Sequence, residues 1–402
     1  MPSGRKLALI VTAVLYVGMS VFPLAGQGRK WEELNAQVKT LYGQGKYAEA
    51  VPKALEALRV AEATFGSEHV NVATSLNNLA ELYRAQGKYT EAEPLYNRSL
   101  AIWEKALGPE HPDVATSLNN LALLYQAEGK YGEAEPLYKR SLAIREKALG
   151  PEHPHVATSL NNLALLYKAQ GKYAEAEPLY KRSLAIREKA LGPEHPDVAS
   201  SLNNLAGLYF AQSKYAEAEP LLKRSLAIRE NALGPEHPAV ATSLNNLAAL
   251  YKAQGKYAEA EPLYKRSLGI LEKALGPDHP DVAAALDNLG LLYDHQAKYA
   301  EAEPLYKRSL AIFEKALGPE HPELATSLNN LAGLYYAQGK YAEAEPLLKR
   351  SLAIRENALG PEHPDVAESL ENYAALLRKT HREAEAQNME ARAKAIRAKH
   401  AQ

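Results

Sequence analysis

The chain has 402 residues and a balanced charge, with 47 lysines and arginines against 48 aspartates and glutamates. Nucleic acids are bound through basic surfaces, so this balance predicts no nucleic-acid partner. The chain has no cysteine, which excludes disulfides, zinc–thiolate sites and thiol catalysis.

The first 28 residues differ from everything that follows. Arg5 and Lys6 precede an uncharged, largely apolar run over residues 7–28. A basic start, an apolar stretch and small residues are typical of a secretory signal peptide, while a run of this length also fits an uncleaved membrane anchor. We therefore predict that residues 1–28 are a signal peptide or N-terminal anchor. The rest of the protein is then exported, periplasmic or extracellular, or tethered to a membrane only through residues 7–28.

The remainder of the chain repeats itself every 42 residues. The phrase LGPEHP, with one Glu-to-Asp change, returns at this interval from Leu107 to Leu359. Seven full units are predicted, preceded by a degenerate unit over residues 29–68 and followed by a capping unit over 363–402. The seven units span residues 69–362 and cover 69–110, 111–152, 153–194, 195–236, 237–278, 279–320 and 321–362.

Each unit carries two stripes of apolar residues at helical spacing. In the unit 153–194, Leu160 and Leu163 belong to the first stripe, and Ala176 and Tyr180 belong to the second. The letters QGKY separate the stripes and supply a glycine for a left-handed helix stop. The pattern predicts an all-α fold of about nine antiparallel helix pairs without strands.

The repeated phrase is interpreted as one helix stop followed by one helix start. Gly192 ends a helix with a positive φ, and His195 occupies the N-cap region with Pro196 at the first helical position. Each phrase supplies a single histidine, whereas zinc needs three or four converging ligands. These histidines are therefore predicted to be caps, and no metal or cofactor is predicted.

Two copies depart from the turn pattern. Ser213 and Ala297 replace the glycine of QGKY. A residue with a Cβ costs about 1–2 kcal/mol in the left-handed region. We expect those two turns to be distorted or to be points of flexibility.

The repeated residues L-x-x-L-A-x-x-Y, followed by G-x-Y-x-x-A, resemble the tetratricopeptide repeat, and the 42-residue form is similar to the repeats of kinesin light chains and their bacterial relatives. The resemblance implies an α-α superhelix, a solenoid of tetratricopeptide repeats, with a concave binding groove. Kinesin light chains carry a long heptad coiled coil before their repeats, which this chain does not show. A cargo-adaptor role is therefore disfavoured.

The resemblance also implies which residues face the groove, namely Thr158, Asn161, Leu165, Lys168 and Ala169 in the unit 153–194. The place of Asn161 is almost constant, and an amide there suits the main chain of an extended peptide. Hydrogen bonds between neighbouring helices are the alternative, which is favoured for the asparagine that follows in each unit. The candidate ladder consists of Asn77, Asn119, Asn161, Asn203, Asn245, Asp287 and Asn329.

Two other places vary between units and are predicted to set specificity. Their surface is mixed, slightly basic and partly aromatic. The candidate residues are Leu123, Leu165, Lys168, Phe210, Lys252 and Tyr336.

We therefore predict a non-enzymatic scaffold that binds an extended peptide or a partner protein in its concave groove. The chain lacks a phosphate-binding loop, a dinucleotide fingerprint and a nucleophile elbow, and its reactive side chains recur in every unit, whereas an active site is unsymmetrical. The alternative is a structural solenoid of the cell envelope that assembles with itself. The charged last unit is typical of a terminal cap, so a monomer is expected.

Overall fold

The computed structural model describes residues 27–400, and within this range the fold is all-α. Eighteen helices form nine consecutive pairs, and the described residues include no strand. The helices are α1 (27–43), α2 (Tyr47–Phe65), α3 (Val70–Ala85), α4 (Tyr89–Leu107), α5 (Pro112–Ala127), α6 (Tyr131–Leu149), α7 (Pro154–Ala169), α8 (Tyr173–Leu191), α9 (Pro196–Ala211), α10 (Tyr215–Leu233), α11 (Pro238–Ala253), α12 (Tyr257–Leu275), α13 (Pro280–His295), α14 (Tyr299–Leu317), α15 (Pro322–Ala337), α16 (Tyr341–Leu359), α17 (Pro364–Lys379) and α18 (Glu383–His400).

The predicted signal peptide or anchor lies almost wholly outside the described residues. Helix α1 is already present at residue 27, two residues before the predicted start of the first unit. In the part of the chain from 27 to 400, no helix is long and apolar enough to span a bilayer.

The turn inside each unit is set by one residue with positive φ. Gly171 has φ 73°, which lets the N–H of Lys172 donate to the carbonyl of Tyr167 at 2.8 Å. Ser213 holds the same geometry at φ 58°, and Lys214 donates to Tyr209 at the same 2.8 Å. The expected distortion at the non-glycine turns is therefore absent at Ser213.

The repeated histidines are N-caps, as predicted. The Nδ1 of His195 accepts the backbone N–H of Asp197 at 3.1 Å, and Pro196 is the first residue of α9. This contact satisfies one of the orphan donors of the first turn. It recurs at 3.1–3.2 Å for His69, His111, His153, His237, His279, His321 and His363.

The core lies between the helices of one unit and the first helix of the next. Ala164, Tyr180 and Leu205 are buried together, so each unit completes the apolar environment of its neighbour. The hydroxyl of Ser183 donates to the carbonyl of Ala157 at 2.8 Å and joins the two helices of one unit. Stability therefore depends on stacking, as in other solenoids.

The stacking curves the chain into a superhelix. Consecutive first helices approach one another directly, as α7 and α9 or α11 and α13 do, while the second helices are spaced more widely. The first helices therefore line the concave side and the second helices form the convex side. The curvature is strong enough to bring α14 against α2.

Candidate functional site

The concave face is built on the first helices, whose buried side anchors the residues predicted for the groove. In α7, Leu160, Leu163 and Leu166 are buried, and this fixes the rotation of the helix about its axis. Leu165 and Lys168 then lie on the other side and are half-buried.

The asparagine pairs form a hydrogen-bonded ladder between units. The Nδ2 of Asn162 donates to the Oδ1 of Asn119 at 2.8 Å, and Asn204 donates to Asn161 at 2.8 Å. Each rung therefore joins the second asparagine of one unit to the first asparagine of the unit before it. The other rungs are Asn78 to Asn35, Asn120 to Asn77 and Asn288 to Asn245.

This geometry corrects the role expected for part of the ladder. The side chains expected to hold peptide backbone are buried at four places, with 7% exposure each at Asn119, Asn161, Asn203 and Asp287. The oxygens of Asn119 and Asn161 accept from the next unit, so they are used within the protein. The reason is the close approach of consecutive first helices, which puts adjacent amides within bonding distance. Asn77, Asn245 and Asn329 are half-buried.

Asp287 is the one acidic member of the seven predicted ladder positions. It accepts a hydrogen bond from Ser327 Oγ, where Asn203 instead donates to Ser243 Oγ at 3.3 Å. Burial raises the pKa of Asp287 to about 7, and the serine contacts offset only part of this effect. Its second oxygen has no partner among the described residues.

The aromatic places lie in the groove beside glycines. Phe210 is 37% exposed, and its ring centroid is 5.7 Å from that of Tyr215. Tyr336 pairs with Tyr341 at 5.6 Å and lines a 180 Å³ pocket with Asn329 and Gly333. Asn329 and Tyr336, both predicted from the sequence, are thus brought together. Leu123 and Leu165 are half-buried and pack against the core clusters of their units.

The two groove lysines stand apart from the other cations. Lys168 and Lys252 are half-buried, and neither makes an ion pair or side-chain hydrogen bond among residues 27–400. The Nζ of Lys168 lies over Gly207 of the next unit, 3.2 Å from where a Cβ would be. Burial lowers the pKa of both ammonium groups. Cations held this way are stabilised by an acidic ligand.

Comparison with known proteins identifies the repeat. A family profile described as tetratricopeptide repeat matches eight overlapping segments between residues 34 and 399, namely 34–105, 72–147, 113–189, 155–231, 197–273, 240–315, 295–357 and 323–399. The chain belongs to the tetratricopeptide repeat family. The comparison with curated proteins gives no match.

Three solved structures illustrate what this tetratricopeptide repeat protein is similar to. A Podosopora anserina protein, described as a kinesin light chain with nearly identical TPR-like repeats, is 36% identical over 51% of this chain and 97% of its own, with a TM-score of 0.44. BtubC (BKLC) from P. vanneervenii is 28% identical over 60% and 92%, with a TM-score of 0.45. A Rap protein complexed with Competence and Sporulation Factor shares the fold over 94% and 99% of the two chains, at 14% identity and a TM-score of 0.60.

Two buried tyrosines of this tetratricopeptide repeat protein, Tyr180 and Tyr264, lie in the same units as the groove lysines, at a place that the sequence predicts only as core. The hydroxyl of Tyr138 donates to the Oε1 of Gln126, at the place that Lys168 holds in the next unit, at 3.0 Å. The hydroxyls of Tyr180 and Tyr264 correspond by repeat position to that of Tyr138, in the two units that carry Lys168 and Lys252. They are buried without a hydrogen-bond partner in the described chain.

A sequence signal for these tyrosines exists inside the chain. The two units with an aromatic residue at the lysine place, Phe210 and Tyr336, carry leucine at the tyrosine place, Leu222 and Leu348. The two places therefore change together, which is what contacting residues do. Over residues 27–400, no group of acidic or histidine side chains is arranged to hold a metal ion.

Proposed function

We propose that this protein is an interaction scaffold that binds a peptide segment of a partner protein in its concave groove. The observation that carries the proposal is a pair of matching sites two units apart. Lys168 and Lys252 each place a cation without a partner among residues 27–400 on the groove side of a first helix, and the hydroxyls of Tyr180 and Tyr264, on the second helices of the same units, are buried without a partner in that range.

These lysines differ from the lysines of the convex face. Lys181 pairs with Glu177 at 2.7 Å, and Lys265 pairs with Glu261 at 2.6 Å. The convex cations are exposed and paired, so they gain little from a ligand. A half-buried cation without a partner has already lost part of its hydration, and a ligand carboxylate restores the missing interaction.

One exposed aromatic residue lies between the two lysines. Phe210 lies one unit from each lysine and is 37% exposed, and the Nζ of Lys168 lies over Gly207 on the same helix. We infer a ligand segment that carries two acidic side chains on either side of an apolar one. Such a segment would combine charge-assisted hydrogen bonds with the burial of aromatic surface, the usual energetic centre of an interface.

Two further points support the proposal. The Rap protein that shares this fold was crystallised with Competence and Sporulation Factor, so the fold holds a bound partner in that protein. The charged helix α18 gives the solenoid a polar end, which favours a monomer. Export through residues 7–28 belongs to the proposal, and N-terminal sequencing of the mature protein tests it.

The test is selection of peptides from a random displayed library on the purified protein, followed by titration of the best peptide. We expect enrichment of peptides with two acidic residues flanking an apolar one. Changing Lys168 and Lys252 together to Met should weaken the selected peptide at least tenfold, about 1.4 kcal/mol. The matched control changes Lys181 and Lys265 to Met, which removes the same charge from the convex face and should leave the affinity within twofold.

Two results would contradict the proposal. One is equal loss of affinity in both double variants, because net charge and not the groove would then govern binding. The other is a library that yields no enriched peptide while circular dichroism shows the folded protein.

A further inference from the structure

The superhelix meets itself after six units. The turns at Gly45, Gly87 and Gly129 each lie against the start of a first helix six units later. A Cβ added at Gly87 would lie 2.5 Å from the Cδ of Pro322, and one added at Gly129 would lie 2.9 Å from the Cδ2 of His363. At Gly45 the corresponding distance is 2.8 Å, to the Cδ of Pro280. These three contacts are called the joints below.

Glycine is required at the joints for two reasons, its positive φ and the lack of space for a Cβ. All the turns need a positive φ, but only the three glycines of the joints are buried. The corresponding turn residues of the next five units are exposed, and no atom lies within 4 Å of a Cβ built at the glycines among them. They are Gly171, Ser213, Gly255, Ala297 and Gly339. The two units with serine or alanine are therefore among those that nothing covers.

His321, at the middle joint, has two hydrogen bonds where the capping histidines outside the joints have one. The Nδ1 of His321 accepts the N–H of Glu323 at 3.1 Å, as in every other cap. Its Nε2 lies 3.1 Å from the carbonyl oxygen of Ala85, in the unit six places earlier. Because Nδ1 accepts, the ring is the neutral tautomer that carries its proton on Nε2 and donates it to Ala85.

The histidines at the joints are also more deeply buried than the capping histidines that no turn covers. The side chains of His279 and His363 are 9% and 8% exposed, against 42% for His195, which has no turn above it. Burial lowers the pKa of His363, and the backbone of Ala127 offsets part of this effect. The phrases at the joints are nearly the same as those in the other units. The difference in burial between the two groups of histidines therefore comes from the overlap of the superhelix.

We propose that the three joints act as a clasp that holds the superhelix closed and that opens without unfolding any unit. Each joint rests on proline or histidine contacts and at most one long-range hydrogen bond, whereas neighbouring units share a continuous buried core. Opening the clasp lengthens the superhelix and widens the groove between its first and last units. Ser213 and Ala297 would each place a Cβ where a covering turn needs glycine, so the turns of those two units are unsuited to form such a joint.

The test measures the distance across the middle joint. Thr90 and Asn357 are exposed and line the same cleft from opposite sides of the joint, and the chain has no other cysteine to label. Spin labels on Thr90→Cys and Asn357→Cys should show one short, narrow distance in the otherwise unchanged protein. Gly87→Ala should move most of the population to longer and broader distances.

The control for backbone strain is Gly255→Ala. Gly87 and Gly255 have φ of 68° and 74°, so alanine strains the two backbones alike, but only Gly87 is covered. Gly255→Ala should leave the distance unchanged. A second pair avoids strain altogether, because asparagine is also a good N-cap but does not reach across the joint. His321→Asn should lengthen the distance, and His195→Asn should not.

A broad, long distance in the protein with no clasp substitution would overturn the proposal. So would a short distance that survives both Gly87→Ala and His321→Asn with full helix content. If Gly87→Ala fails to fold, His321→Asn decides the question alone, since it keeps the cap of α15.

Discussion

The imidazole Nε2 of His321 lies 3.1 Å from the carbonyl oxygen of Ala85, although 236 residues separate the two in the chain. The same histidine caps α15 through its other ring nitrogen. One side chain thus serves a local role that is present in every unit and a long-range role that depends on the position of its unit in the superhelix.

Acid should weaken this joint. Burial lowers the pKa of His321 to about 4, from 6.5 for a free side chain. An open joint therefore binds the proton more readily than a closed one. The contribution of His321 to the stability of the closed joint is lost as the pH falls from about 6.5 to about 4. Distance measurements on the spin-labelled protein over this range should show a growing long-distance population.

The acid effect has to be separated from that of neighbouring groups. Glu323 and Tyr89 face the joint, with Asp365 and Arg355 beyond them. Burial raises the pKa of Glu323, so its protonation favours the closed state and opposes His321. His321→Asn should remove the acid-induced opening, and an unchanged pH profile in that variant would assign the effect to the carboxylates.

Asp287→Asn should stabilise the protein above neutral pH. The folded-state pKa of Asp287 is raised to about 7 from 3.8, so the unfolded chain loses its proton first and stability falls as the pH rises from about 4 to about 7. We expect a gain of about 2–4 kcal/mol at pH 8 and little gain at pH 4, measured by urea unfolding. The converse change, Asn203→Asp, places a carboxylate at an equally buried position and should introduce the same pH dependence.

Removing one rung of the asparagine ladder should cost stability. Asn162→Ala leaves the Oδ1 of Asn119 without its donor, which destabilises by about 1–3 kcal/mol. Asn246 holds the same place in its unit, but the Oδ1 of Asn203 has no partner among the described residues, so Asn246→Ala is the control and should cost less. Equal midpoints in urea for the two variants would show that the rung contributes nothing.

A cavity in the stacking core should be more costly than a lost rung. Leu163 is 4% exposed between consecutive helix pairs, and Leu163→Ala should destabilise by roughly 2–5 kcal/mol. Thermal unfolding followed by circular dichroism at 222 nm measures this change. A loss below 1 kcal/mol would mean that the neighbouring helices close the cavity.

Most of the fold follows from local patterns in the sequence. The stops at Gly171 and Gly192 and the caps at His195 and its equivalents depend only on a few adjacent residues, so the repeat predicts the helix pairs directly. The confirmed family membership rests on the same residues. Ser213 shows the limit of local reasoning, because its turn keeps the glycine geometry.

The candidate site was harder to predict, because its contacts join different units. The sequence could not decide whether Asn161 faces a ligand or the next helix, since that depends on the distance between α7 and α9. The joints were beyond reach for a similar reason. His195 and His321 stand in nearly identical phrases, and only the rotation accumulated over six units decides which one is covered.

The clasp changes the order in which a solenoid comes apart. In an open array each unit is held only by its neighbours, and the terminal units fray first. Here the units at both ends are tied to each other, so the three central units, 153–278, are the only ones without a second attachment. The clasp should therefore slow hydrogen exchange most strongly near the two ends of this chain and least in its middle. The segment left with the greatest freedom is the one that carries Lys168, Phe210 and Lys252.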